Sequence, residues 1–211
     1  MRVEIIGGMG VGKTTLCSAF TRLGLRCVSE NLDNNPYLNL AYRDPVTYGF
    51  YSQLSFYLGN FFTLRENTAA DGITVFDFST VTDRAYASLF LKDKAQDIAL
   101  ETIDFLEEKE GKADLYLYLT CSPETQIRRI RKRNRAHEAG VTLEFISNLE
   151  NHLARHTLRA AERGARIRAI DTEKFDLLND SAFVTDLGEN LMSGSVPLAT
   201  VTQLREMRVV A

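Results

Sequence analysis

Nine residues near the N-terminus constrain this chain more than any other stretch: Gly7-Gly8-Met9-Gly10-Val11-Gly12-Lys13-Thr14-Thr15. They fit G-x-x-x-x-G-K-[ST], the phosphate-binding P-loop. Val3, Ile5 and Ile6 make a short apolar strand just before them, and Leu16, Ala19, Phe20 and Leu23 keep a helical period just after. Strand, glycine loop, helix is the setting the motif requires. Glycines let the backbone turn tightly and approach a ligand closely. The loop N–H groups and the positive end of the following helix then surround an anion. In this motif Lys13 reaches the β- and γ-phosphates and the Thr14 hydroxyl holds Mg²⁺. A nucleoside triphosphate, ATP, is therefore the expected ligand.

The rest of the chain continues the alternation. Arg26–Ser29, Ile73–Phe76, Ala113–Leu119 and Arg166–Ile170 read as further strands. Helices are expected over Pro36–Tyr42, Val46–Ala70, Thr80–Leu91, Asp97–Glu110, Glu124–Arg135, Thr142–Arg163 and Phe175–Leu191. This pattern predicts one α/β domain over residues 1–211: a doubly wound, mostly parallel sheet of about five strands flanked by helices. Residues 193–211 read as a mixed tail without an assigned role. The aromatic-rich 46–70 segment and its neighbour 80–91 are candidates for a homodimer interface.

Composition narrows the class of partner. The net charge is -3 and the pI about 5.7, so nothing overall favours a nucleic-acid polymer or a membrane surface. No apolar run has the length of a membrane span. The chain enters a core strand at once, so no targeting leader is expected. Cys17, Cys27 and Cys121 lack metal-ligand spacing and read as free buried thiols of a cytoplasmic protein.

Three acids stand at or near predicted strand ends: Glu30, Asp77 and Asp171. In a doubly wound sheet these ends gather around the P-loop. An acid there holds Mg²⁺ or accepts the proton of an attacking hydroxyl, although a strand-end acid also serves as a helix cap. Residues 128–135 carry six cations in eight positions: Arg128, Arg129, Arg131, Lys132, Arg133 and Arg135. Such crowding disfavours packing without a counter-anion. A mobile arginine-rich lid over residues 128–140, closing on the triphosphate, suits a chain with a P-loop better than a solvated face or a nucleic-acid contact.

Taken together these stretches resemble the deoxyribonucleoside kinases, in particular the bacterial deoxyadenosine/deoxyguanosine kinase branch. The resemblance runs from residue 1 to about residue 171 and rests on four features. One is the P-loop. Another is Ser29-Glu30, then Asn34-Asn35-Pro36-Tyr37-Leu38, Tyr42, Pro45, Phe50 and Gln53, similar to the family's E-P-x-x-x-N-P-Y-L stretch. Asp77-Phe78-Ser79 with Asp83 stands at the D/E-R-S motif. The stretch from Arg129 to Glu138 fits the lid pattern R-x-x-x-R-x-R-x-x-E. The resemblance implies ATP-dependent phosphorylation of a deoxyribonucleoside 5′-hydroxyl in nucleotide salvage, by a homodimer. It implies Glu30 as general base, Tyr42 and Glu138 at the 3′-hydroxyl, and Gln53 and Asp83 facing the base, with Phe78 at the substrate. Arg129, Arg133 and Arg135 would clamp phosphates, Arg133 acting in catalysis with Lys13, and Asp77 would help organise Mg²⁺.

Departures from the pattern bear on activity. Phe78 replaces the family's arginine, with Arg84 one helical turn away as a possible substitute. Asn60 stands where the family has an arginine partner for Asp83, and Asn31 replaces the proline after the catalytic Glu. A P-loop kinase of another small acceptor and a non-catalytic nucleotide-binding subunit are the alternatives, the second resting on Phe78.

Overall fold

The structure is a computed structural model. It describes residues 1–30, 32–68, 71–135, 138–177 and 180–207, and the side chains of Asp33 and Tyr42 lie outside that description. Asn31, Ala136 and His137, quoted in the motif comparison, also fall outside it.

Among the described residues one sheet has five strands: β1 (Arg2–Ile6), β2 (Arg26–Val28), β3 (Thr74–Phe76), β4 (Leu115–Thr120) and β5 (Ile167–Asp171). Their order is β2-β3-β1-β4-β5, and every pairing is parallel. Val3 lies between Val75 and Leu115, and Glu4 between Phe76 and Tyr116. Parallel register puts all five C-terminal ends on one edge. β2 and β3 lie on one side of β1 and β4 and β5 on the other, so the crevice opens beyond β1, where the P-loop begins.

The pleat divides the core. Val3, Ile5, Leu115, Leu117 and Leu119 face α1 (Lys13–Arg22) and α8 (Ser181–Ser193), meeting Phe20, Leu187 and Leu191. Ile6, Tyr116 and Tyr118 face the other way, toward α4 (Thr80–Phe90), α7 (Leu143–Glu162) and α9 (Val201–Met207), against Val81, Leu149, Leu153 and Leu204. A third cluster joins α3 (Pro45–Asn67), α4 and α5 (Asp93–Glu110) through Tyr57, Phe61, Leu64, Phe78 and Ile103. Buried on both faces, β1 and β4 read as near-continuous apolar runs. The exception is Glu4, fully enclosed, its Oε2 accepting from Thr80 N at 3.0 Å and its Oε1 3.2 Å from Arg2 Nε.

Local capping fixes the helix starts. The side chains of Asp44, Ser79, Ser122, Thr142 and Asp180 accept from the N–H three residues on, at 3.1, 3.0, 3.3, 3.1 and 2.9 Å. Such caps contribute typically about 1 kcal/mol each. They also explain where the sequence expectations shift. The last long helix starts at Ser181 rather than Phe175, because Asp180 caps it while Phe175 folds back to stack on Phe183. The helix before β4 starts at Asp93 rather than Asp97. The tail is not irregular: α9 packs on α7 through Leu204, with Arg205 donating to Glu162 at 2.7 Å. Helix α4 packs among α3, α5 and α7, with Phe90 at its end exposed. Cys17, Cys27 and Cys121 are free; Cys17 is buried, the other two half-buried.

Candidate active site

The P-loop makes its turn with backbone that only glycine adopts readily. Gly10 (φ 75°) and Gly12 (φ 112°) lie in the left-handed region. A Cβ on Gly10 would stand 2.8 Å from the Gln126 carbonyl oxygen of α6 (Pro123–Arg133), so the loop and that helix touch backbone to backbone. Gly12 precedes α1, whose first-turn N–H groups have no partner within the helix and open onto the crevice. Met9, Lys13, Thr14 and Thr15 line the crevice with the glycines, while Val11 is buried beneath.

Lys13 folds back across its own loop. Its ammonium donates to the carbonyls of Gly7 (2.8 Å) and Gly8 (2.9 Å). Burial lowers its pKa, against the opposing pull of Glu30 and Asp77. Asp77, just past β3, ties the machinery together. Its Oδ2 accepts from Thr14 Oγ1 at 3.1 Å and its Oδ1 from the backbone N–H of Glu30 at 2.7 Å. One carboxylate thus holds the P-loop helix and the loop after β2 at fixed separation.

Glu30 is half-buried at the mouth, its pKa raised chiefly by desolvation and lowered in turn by Lys13 and Asn60. Asn60 was not expected to pair with anything. It lies 5% exposed on α3, its Nδ2 donating to Glu30 Oε1 (3.3 Å) and to Asp83 Oδ1 and Oδ2 (3.2 and 3.4 Å). The loss of an arginine partner for Asp83 is therefore met by an amide that serves two acids. The signal was available: Gln53, Tyr57, Asn60 and Leu64 keep the spacing of a buried helix face, and an amide within such a face needs partners. Burial and the neighbouring Glu30 push the Asp83 carboxyl well above the usual range. Gln53 lines the crevice with its side-chain oxygen accepting from Tyr57 Oη at 3.2 Å. Asn35 explains the N-P-Y stretch: it donates to Ser52 O (3.0 Å) and accepts from Tyr37 N (3.0 Å), pinning that segment to α3.

Phe78 is 2% exposed and packs edge-on against Phe76, ring centroids 5.5 Å apart, while still forming part of the crevice wall. Arg84 does not take the missing arginine's place. It pairs with Asp104 and Glu107, each at 2.7 Å, drawn away by carboxylates on α5 some twenty residues further along the chain.

The basic helix distributes its cations. Arg129, Lys132, Arg133 and Arg135 line the crevice, whereas Arg128 bonds to Thr125 Oγ1 at 3.0 Å. Arg129 reaches Thr172 Oγ1 (2.9 Å), Thr172 O (2.8 Å) and Val11 O (3.3 Å), clipping α6 to the P-loop and to the turn after β5. Thr172, which nothing in the sequence singled out, also donates to Val11 O at 3.0 Å. Arg133 grips Glu138 through Nε (2.6 Å) and Nη2, and Arg135 stands 4.0 Å from the same carboxylate. Glu138 is thereby buried and aimed into the crevice. Tyr42, expected beside it, has its side chain outside the described residues, and Asp171 instead accepts from Glu173 N at 3.0 Å as a turn former.

Together these groups enclose about 1380 Å³. That exceeds the usual 300–1,000 Å³ of a single small-molecule site and gives room for two ligands end to end.

Known proteins agree with this arrangement. A family model described as deoxynucleoside kinase matches residues 3–193. A deoxyadenosine kinase of Dictyostelium discoideum is 33% identical over 157 residues, 71% of this chain and 63% of that protein. A deoxyadenosine/deoxycytidine kinase of Bacillus subtilis is 25% identical over 203 residues, 90% of this chain and 91% of that protein. The solved structure of a deoxyadenosine kinase from M. mycoides with bound dCTP superposes with a TM-score of 0.76 at 20% identity, covering 92% of this chain and 100% of that one, a likeness of fold. The chain belongs to the deoxynucleoside kinase family, the phosphotransferases that carry a phosphate from ATP to a deoxyribonucleoside.

Proposed function

We propose that the P-loop holds the triphosphate of ATP, and that Glu30 takes the proton from the 5′-hydroxyl of a deoxynucleoside lying between α3 and α4. The observation that carries this is the Asp77 bridge. It fixes the Thr14 hydroxyl and the Glu30 backbone to one carboxylate, so donor site and base share a frame. In-line phosphoryl transfer depends on such positioning more than on covalent chemistry.

Mg²⁺ fits the same point. Thr14 Oγ1 and Asp77 Oδ2 are hard oxygens 3.1 Å apart. Among the described residues no group of three or more His, Cys, Asp or Glu gathers to hold a metal. A site of that kind suits Mg²⁺, which takes one or two protein oxygens and completes its shell with water and phosphate. The metal would supply charge neutralisation at the phosphates. Lys13 would swing from the Gly7 and Gly8 carbonyls to the β- and γ-phosphates, and Arg129, Arg133 and Arg135 would face them from α6. Glu138, held by Arg133, would accept from the 3′-hydroxyl with Tyr42, while Gln53 and Asp83 face the base and Phe78 packs beside the sugar.

The protein works as a cytoplasmic homodimer in this reading. Helices α3 and α5 pack side by side and leave Leu58, Phe62, Ile98 and Phe105 exposed, an apolar face that a second copy would cover. Among the described residues no helix is long and apolar enough to cross a membrane.

Transfer of labelled γ-phosphate with Mg²⁺ to each of the four deoxynucleosides, with Glu30→Gln in parallel, tests the proposal. Product that disappears in the variant is expected. No product with any of the four, from folded protein that binds ATP, would overturn it.

A further inference from the structure

Behind the P-loop, on the side away from the crevice, a carboxylate lies where the mechanism does not use one. Glu150 of α7 is 7% exposed and presses on Gly8 so closely that a Cβ there would meet its Oε1 at 2.5 Å. The same Cβ would meet Gln126 Oε1 at 3.1 Å and Leu149 Cδ2 at 3.3 Å. Neither Glu150 Oε1 nor Gln126 Oε1 has a hydrogen-bond partner among the described residues. Two buried acceptors therefore converge on one point of the loop backbone, while the Gln126 nitrogen donates to the Cys121 carbonyl at 3.2 Å. An unsatisfied buried acceptor costs about 1–3 kcal/mol, and more when charged.

Turning the Gln126 amide over would offer Glu150 a donor. It would also set the amide oxygen against the Cys121 carbonyl, to which its nitrogen now donates at 3.2 Å. A proton on Glu150 would offer Gln126 Oε1 the donor it lacks in the present orientation. We propose that Glu150 is a positioning residue for the phosphate loop: as a neutral acid it donates to Gln126 and braces Gly8 from behind, and its ionisation weakens the loop's hold on the triphosphate.

The groups around Glu150 agree. Lys13 faces it from the P-loop, Tyr118 from β4, Cys121 from the turn after β4 and Gln126 from α6. Burial pushes its carboxyl up to about 7 against the pull of Gln126 and Lys13. Lys13 is the cation bearing on it, and at rest its ammonium sits 2.9 Å from Gly8 O, the residue Glu150 braces. When Lys13 turns toward phosphate, Glu150 loses that attraction, and the incoming anion further disfavours its charge. Triphosphate binding and protonation of Glu150 thus promote each other, as linkage requires.

This inference rests on the P-loop being the triphosphate site. Equilibrium binding of Mg·ATP, without acceptor, between pH 6 and pH 9 tests it in wild type and Glu150→Gln. The variant keeps the size of the acid and presents Gln126 with a permanent donor. Wild-type affinity is expected to fall several-fold above neutrality, by at most about tenfold per pH unit, and the variant to lose that fall. Equal pH slopes in the two proteins, with matching thermal melts, would overturn the proposal. Carboxyl ¹³C titration by NMR decides it independently of nucleotide. A Glu150 midpoint near neutrality that rises with Mg·ATP supports it, and a midpoint in the ordinary carboxylate range refutes it. Absence of ATP binding in both proteins at every pH would refute the P-loop assignment instead, and the NMR midpoint would still decide the protonation of Glu150.

Discussion

Replacing Asn60 by Leu should move the acid limb of the kinase's pH profile upward. Leu keeps the γ-branched shape of Asn in the α3 face, with more bulk, but removes the Nδ2 that donates to Glu30 and Asp83 at 3.2–3.4 Å. A hydrogen bond to a charged group contributes about 1.5–3 kcal/mol. One nitrogen is shared between two acids, so half of that, roughly 0.7–1.5 kcal/mol, falls on Glu30. At about 1.4 kcal/mol per pH unit this is a rise of half to one unit. The sign is fixed: Asn60 favours the ionised carboxylate, and a general base must be ionised to act. The assay is kcat/KM for the deoxynucleoside from pH 5 to pH 9. The variant should lose most activity at the acid end and approach wild type at the alkaline end. An unmoved limb in a protein with unchanged fold, or one moved downward, would refute the reasoning that Asn60 tunes the base.

Asp77→Asn removes the whole negative charge from the Thr14–Asp77 pair, and the apparent Mg²⁺ requirement should rise about 10- to 100-fold, read from activity against Mg²⁺ concentration. Thermal stability should fall as pH rises from about 4.5 to about 7. Glu4 and Glu150 both have carboxyls raised to about 7 by burial, so the folded state binds more protons than the unfolded chain across that window. Each contributes stability on the order of 3 kcal/mol that is complete below the unfolded value and lost through the folded one; melts at pH 5, 6 and 7.5 check it. Asp83→Asn should keep deoxynucleoside KM within a few-fold while Asp83→Ala raises it at least tenfold, since a buried hydrogen-bonding group left unpaired costs about 1–3 kcal/mol.

What the sequence displayed was local. The P-loop, Glu30 and Asp77 were legible because glycine spacing and an acid closing a β-branched run are properties of a few adjacent residues. The parallel sheet followed from alternation, and the helices that Ser79, Ser122 and Thr142 cap start within one residue of where the sequence put them. Contacts between distant segments were not legible. Glu30, Asn60 and Asp83 come from a loop, α3 and α4, and only the packing of α3 on α4 brings them together. Arg84 sits one turn from the site in sequence, yet α5 supplies two carboxylates that draw it to the opposite side. Glu4, between Val3 and Ile5, stands where simple alternation would put an outward side chain, but helices cover both faces of the sheet. Arg129 counted in the sequence as one of six lid cations, whereas its geometry clips the P-loop to Thr172.

The two departures from the family pattern make sense as one change. An arginine at position 60 would balance a charged Asp83 more fully than an amide does, and burial with Glu30 nearby pushes the Asp83 carboxyl well above the usual range, toward the neutral form. The less charge Asp83 carries, the less it needs a cation, so the surrounding wall can be apolar, and Phe78 packs there against Phe76 within the cluster of Tyr57 and Phe61. Putting an arginine back at position 78 alone would bury a guanidinium in that cluster. A protonated Asp83 also differs chemically from a carboxylate locked to arginine: it offers a base one donor as well as an acceptor. Asn60 touches both Glu30 and Asp83, whereas Lys13, Glu30 and Asp77 are held by contacts in which Phe78 takes no part.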